Sequence, residues 1–231
     1  MFKISIKDNI SEIENRIKET LAKKNRFDDV TLIAVSKTQP VEKIQEVLDL
    51  NHLDMGENKV QELMDKMAIL GDIPRYHMIG HLQTNKVKYI ADKIHLIHSL
   101  DRISLAKEIN KRAKASNRLI DCLVQVNIAK EDTKFGLCKD DVIPFIEQLL
   151  TFEHIKVKGL MTIAPFTEDE KVLRETFRGL YNLKEDIIKR GYEEISMDVL
   201  SMGMTNDYEI AIEEGSNMIR VGTGIFGKRN Y

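Results

Sequence analysis

Val30-Thr-Leu-Ile-Ala-Val-Ser36 is apolar through its whole centre and rich in β-branched residues. A half-buried strand alternates polar and apolar side chains. A run this continuous marks a strand covered on both faces, as in a parallel sheet. Ahead of it, Ile10, Ile13, Ile17 and Leu21 recur at helical spacing. They predict an amphipathic helix ending near Lys24, with Asp8 and Asn9 placed to cap its first turn. Behind it, Pro40 opens a helix to residue 50 from the favoured first-turn position. The same rhythm continues to the end of the chain. Strands are predicted over 52–56, 75–80, 93–98, 119–128, 155–163, 195–200 and 217–221. Helices are predicted over 58–69, 85–91, up to 115 from a cap at Asp101, and over 142–150, 168–190 and 206–214. Parallel neighbours need crossovers of about a dozen residues, which helices supply. Eight such units behind one extra helix fit a TIM-type (β/α)8 barrel, whose usual size is roughly 250 residues. An open doubly wound sheet is the alternative.

Composition narrows the function classes. Hydrophobic residues make up 42% and charged residues 31% of 231, which suits one globular domain spanning 1–231 and excludes a disordered chain. Lys plus Arg number 35 against 37 Asp plus Glu, so no basic surplus drives nucleic-acid binding. No apolar run approaches the roughly 18 residues that span a bilayer, and no leader peptide is read at the start. Two cysteines, Cys122 and Cys138, suit a reducing compartment, so a cytoplasmic protein is expected, and with no large apolar strip evident in the sequence a monomer is expected.

Polar residues follow each predicted strand: Lys37, Glu57-Asn58, Gly80-His81-Leu-Gln83, Ser99 and Asp101, Asn127, Thr162, Ser201-Met-Gly203 and Gly222-Thr223-Gly224. In a barrel all of them meet at one rim, the rim that carries active sites. Lys37, directly after a buried strand, has its stem in apolar surroundings; desolvation there frees an amine for attack on a carbonyl. The plain alternative is a surface lysine at a strand exit. Gly222-Thr-Gly-Ile-Phe-Gly227 matches G-x-G-x-x-G but lacks the long helix and later acidic residue of a dinucleotide site. Its glycines bring backbone N–H groups to a phosphate, or else serve tight turns. Arg220 lies two residues before Gly222 and shares its face, which is either the barrel mouth or the outside. Inside, it needs an aromatic nitrogen, a phosphate or a carboxylate. His77, His81, His95 and His98 read as ordinary hydrogen-bonding groups, not a metal site. Met197, Met202, Met204 and Met218 read as core filler, and Cys122 as a small buried hydrophobe.

Taken together, Ile33-Ala-Val-Ser-Lys37-Thr, Gly56-Glu-Asn58, His77-Met-Ile-Gly80-His-Leu-Gln-Thr-Asn-Lys86, Lys158-Gly-Leu-Met161, Leu200-Ser-Met-Gly-Met204 and Ile219-Arg-Val-Gly-Thr-Gly-Ile-Phe-Gly227 form a signature. It resembles that of the pyridoxal phosphate homeostasis proteins, in order, from about Leu32 to Tyr231. The resemblance implies the fold of the N-terminal barrel of alanine racemase with a leading helix, and pyridoxal 5'-phosphate (PLP) held as an aldimine on Lys37. It further implies that Ser201, Gly222 and Thr223 hold the phosphate, that Arg220 faces the pyridine nitrogen, and that Asn58 lies near the ring hydroxyl.

The role so implied is a PLP carrier that buffers the cofactor and supplies PLP-dependent apoenzymes. An arginine at the pyridine nitrogen keeps its proton, leaving the ring a poor electron sink. The alternative is an amino-acid racemase with a second acid/base opposite Lys37, for which Tyr76 and Tyr208 stay open. A scaffold role is the third and weakest class.

Overall fold

Thr31–Val35 forms β1, and four of its five residues are buried, as its apolar run requires. It pairs in parallel with β2 (Asp54–Glu57) on one side and β8 (Met218–Val221) on the other. Because β8 is the last strand, this pairing closes a ring. The computed structural model, which describes residues 5–131 and 134–227, is a closed barrel of eight parallel strands in chain order. The remaining strands are β3 (Arg75–Met78), β4 (Leu96–Leu100), β5 (Ile120–Gln125), β6 (Ile155–Met161) and β7 (Val199–Met204). The helices are α1 (Ile6–Lys23), α2 (Val41–Leu48), α3 (Val60–Leu70), α4 (Ile103–Ala115), α5 (Val142–Leu149), α6 (Glu170–Ile188), α7 (Tyr208–Glu213) and α8 (Thr223–Phe226). The TIM-type expectation stands and the open sheet falls. The Lys228 to Tyr231 end of the family signature lies outside the described residues.

Several boundaries differ from the sequence reading, each for a local reason. The first helix begins at Ile6, not near Ile10: Ser5 is its cap and Asp8 completes a capping box, so Asn9 is already inside. Asp101 does not cap α4, because its carboxylate is taken by Arg102 at 2.6 Å. The β3–β4 crossover is a 3₁₀ stretch, Thr84–Tyr89, not an α-helix. The seventh strand starts at Val199 rather than Ile195. Ladder pairing with β6 begins only at Gly159 opposite Val199, and Met197 packs in the approach. Ser201 therefore lies within the strand instead of after it.

The apolar residues divide into two compartments. A continuous shell between strands and helices includes Leu63, Leu105, Ile109, Ile146 and Phe177, all fully buried. Inside the barrel, Ile33, Leu96, Leu123, Met161 and Met218 form a separate, smaller cluster. Cys122 is buried as expected, as are Met197, Met202 and Met218, whereas Met204 is exposed and is not core. Among the described residues, no helix is long and apolar enough to cross a membrane.

Candidate functional site

Lys37 leaves β1 half-buried at the mouth, the C-terminal end of the barrel. Both of its neighbours in sequence are held by a charged cluster on β2 and α3. The Ser36 hydroxyl donates to Glu57 Oε1 at 2.5 Å. Lys66 Nζ donates to the Ser36 carbonyl at 2.7 Å, to Glu57 Oε1 at 2.5 Å and to Glu62 Oε1 at 2.7 Å. The Thr38 N–H donates to the same Glu62 oxygen at 2.5 Å, which helps retain Thr38 at φ 63°, in the left-handed region. Burial pushes the Glu57 carboxyl above its ordinary range, against the bonds from Lys66 and Ser36. The cluster fixes the backbone on both sides of Lys37 and so limits where its amine can reach.

Arg220 points into the barrel and is buried. It donates to Ser201 Oγ at 2.6 Å and to the Thr162 carbonyl at 2.8 Å. Among the described residues it has no carboxylate partner. Burial draws the guanidinium down to about 10, opposed by the more distant Asp207. A buried cation with donors left over matches an aromatic nitrogen or an anionic oxygen in the mouth. The outward reading of Arg220 is excluded.

Ser201 and Thr205, at the end of the seventh strand, face different partners. Ser201 Oγ is fully buried and engaged by Arg220 and by His98 Nδ1 at 3.0 Å. The hydroxyl that reaches exposed Thr223 belongs instead to Thr205: the two oxygens are 3.2 Å apart, and the Gly224 N–H donates to Thr205 at 3.3 Å. The cause is a register shift between Ser201 and Met204, with Gly203 at φ 96°, where a Cβ would come within 2.7 Å of Ala211. Ser201 thereby turns inward and Thr205 reaches the rim beside Gly222 and Thr223. Asn58 is half-buried at the mouth. Gly80 lets the third rim loop close on it: a Cβ there would sit 2.5 Å from the Asn58 carbonyl oxygen.

The histidines form no rim cluster. His81 stacks on Phe135 with centroids 3.9 Å apart. His77 Nδ1 meets His98 Nε2 at 3.0 Å, and His77 Nε2 meets Asp54 Oδ1 at 2.9 Å at the foot of the barrel. Asp54, His77 and His95 bring ligand-type atoms within 4.8 Å of one another. Arg75, which donates to both Asp54 oxygens at 2.9 and 2.5 Å, already supplies the cation there. Burial raises Asp54, but the bonds from His77 and Arg75 outweigh it and hold the carboxyl below its usual range. Neither candidate tyrosine serves the mouth. Tyr76 donates its hydroxyl to the Gly71 carbonyl at 2.9 Å, and Tyr208 packs on the α1 side near Arg16 and Glu12. Sequence reasoning missed Lys66, Glu62 and Asp54, and placed Thr205 only as a further donor at the start of the helix after strand seven. Only Glu62 and Lys66 left a local trace, their i,i+4 spacing.

Comparison with known proteins places this geometry. The profile of the family described as alanine racemase, N-terminal domain, matches residues 5–230. A pyridoxal phosphate homeostasis protein from Aquifex aeolicus (strain VF5) is 41% identical over 226 residues, 97% of this chain and 98% of that protein. A crystal structure from Bifidobacterium adolescentis superposes with a TM-score of 0.90 at 32% identity, covering 96% and 94% of the two chains. PipY of Synechococcus elongatus PCC7942, solved with PLP bound, superposes with a TM-score of 0.80 at 31% identity, covering 91% of this chain and all of that one.

Proposed function

The chain belongs to the pyridoxal phosphate homeostasis proteins, within the alanine racemase N-terminal-domain family, and on that premise we propose that it binds PLP reversibly and buffers it for other proteins, without catalysing a reaction of its own. The observation that carries this reading is Arg220, a buried guanidinium with no hydrogen-bonded carboxylate among the described residues, on the strand beside the one that delivers Lys37. A pyridine nitrogen facing Arg220 gives that cation its missing partner. Lys37 would add to the cofactor's aldehyde carbon, with the carbonyl oxygen leaving as water; water reverses the step. Thr205, Thr223 and the backbone at Gly222 would hold the phosphate, and Asn58 would border the ring hydroxyl. Ser201 is assigned to Arg220 rather than to the phosphate.

Bound PLP supplies an electrophilic carbon and an electron sink, and the residues here use the first and blunt the second. Arg220 is an N–H donor that keeps its proton, so the ring nitrogen stays unprotonated. Tyr76 and Tyr208, the tyrosines considered as a second acid/base, are both committed away from the mouth, which favours a carrier over a racemase. The reading also places the protein in the cytoplasm as a monomer that supplies PLP-dependent apoenzymes. Supporting a reducing compartment, Cys122 and Cys138 are both free thiols.

The test loads the protein with PLP and mixes it with a PLP-dependent apoenzyme, following apoenzyme activity and, separately, alanine racemisation. Reactivation by the wild type, lost in Lys37→Ala, with no racemisation, is the expected result. Racemisation abolished by Lys37→Ala would overturn the carrier reading.

A further inference from the structure

Helix α8 is a single turn, Thr223–Phe226, joined to β8 through Gly222. Four residues do not make a stable helix by themselves: nucleation is unfavourable, and isolated helices shorter than about 12–15 residues are marginal in water. Within the turn, the Ile225 and Phe226 N–H groups both donate to the Gly222 carbonyl, at 3.0 and 2.9 Å. The Gly227 N–H donates to the Thr223 carbonyl at 3.1 Å. A helix leaves its last carbonyls without partners of its own. This turn nevertheless carries Thr223 and adjoins Gly222, two of the residues assigned to the phosphate, so its position has to be set from outside.

The leading helix α1 sets it. Asn9, half-buried on α1, donates from Nδ2 to the Ile225 carbonyl at 2.9 Å, across 216 residues of sequence. One turn further along α1, buried Ile13 faces Gly224. A Cβ on Gly224 would come within 3.6 Å of Ile13 Cδ1, 3.3 Å of Thr205 Cγ2 and 2.8 Å of Val221 Cγ1. Glycine there lets α8 settle between α1, β8 and Thr205. The Gly224 N–H donates to Thr205 Oγ1 at 3.3 Å, and that oxygen lies 3.2 Å from Thr223 Oγ1. One short peptide stretch is thus gripped by α1 and bonded to the rim hydroxyls. The grip has its own anchors on the neighbouring α7: Arg16 of α1 donates to Glu209 at 3.1 Å, and Arg26, just past α1, donates to the Ser216 carbonyl at 3.0 Å. Asn9 lies inside α1 rather than at its cap, where asparagine is a weaker helix former than alanine or leucine. Its amide serves α8, not its own helix.

We propose that α1 backs the phosphate site and that Asn9 is a positioning residue. By holding the Ile225 carbonyl, Asn9 fixes where Gly222, Thr223 and Thr205 present their donors, and so favours the phosphorylated cofactor over pyridoxal. Pyridoxal offers Lys37 the same aldehyde and lacks only the phosphate. A residue acting through the phosphate site changes the binding of PLP and spares that of pyridoxal, whereas a general loosening of the fold changes both. The selection rests on the PLP reading above; the hold of Asn9 on α8 does not.

The test is Asn9→Ala in the full chain. Alanine favours helix more than asparagine does, so α1 keeps its own stability. PLP should leave the variant about fivefold faster, the size of one net hydrogen bond, while its affinity for pyridoxal, read from the same visible band, stays at the wild-type value. In ligand-free protein, hydrogen exchange of the Ile225, Phe226 and Gly227 amides should quicken, with the α1 amides as protected as in wild type. Unchanged exchange in α8 would overturn the hold. Unchanged PLP release, or equal weakening of PLP and pyridoxal, would overturn the phosphate role. Wild type that takes up no PLP would sink the functional reading and the selection with it, leaving the exchange comparison to decide the hold.

Discussion

The space inside the barrel and the shell around it are packed with different chemistry. Between strands and helices lie Leu63, Leu105, Ile146 and Phe177, all fully buried and apolar. Inside, five apolar residues form a small cluster beside a line that includes a carboxylate, two imidazoles and a guanidinium. Burying those groups is unfavourable unless each is hydrogen-bonded, and here each is. The shell carries the hydrophobic free energy of folding, while the interior gives up some of it to hold a reactive mouth in one geometry. Stability and binding should therefore respond to different substitutions.

The largest separable effect belongs to the shell. Phe177→Ala should lower unfolding free energy by about 3–5 kcal/mol in urea titration, yet leave the visible band formed on adding PLP unchanged. Loss of that band in protein that is still folded would break the division. Lys66→Ala probes the border between the compartments. It leaves Glu57 buried without its counter-ion, so a loss of about 3 kcal/mol is expected. PLP uptake should slow as well, because Ser36 and Thr38 lose their clamp; normal uptake would show that the clamp does not position Lys37.

The foot of the interior should reveal itself through acid. The folded Asp54 carboxyl sits below its unfolded value of about 3.9. Its stabilisation is therefore complete above that value and is lost as pH falls through the folded one. Thermal melts of Asp54→Asn should show a shallower loss below about pH 4 than wild type, and identical acid limbs would contradict the bonding to His77 and Arg75. The smallest effect is at the rim. Thr205→Val should weaken PLP retention by about 1 kcal/mol, measured as dissociation rate, whereas Ser201→Ala should act through Arg220. Equal retention in Thr205→Val and wild type would return the phosphate role to Ser201.

How much of this was legible depended on how local the signal was. The apolar run before Lys37 implied a parallel sheet, and the strand count implied the barrel, because both are written in neighbouring residues. The two-residue offset of Arg220 from Gly222 fixed a shared face but left open whether that face was the mouth or the outside. The polar line inside the barrel was not legible: its links join residues 23, 21 and 103 positions apart, and only ring closure brings them together. The different settings of Ser201 and Thr205 were not legible, because they follow from a register shift beside Gly203 and a bulge leaves no periodic trace. Glu57 read as a rim residue until the pleat turned it outward onto Lys66. The family signature supplied what spacing alone did not at Lys37, where the pattern by itself favoured a surface lysine.

The central claim is that Lys37 holds the cofactor covalently in the mouth. Borohydride reduction of the PLP-loaded protein followed by peptide mapping tests it most directly. The account predicts a single pyridoxyl adduct, on Lys37. An adduct on another lysine, with Lys37 unmodified, would contradict it.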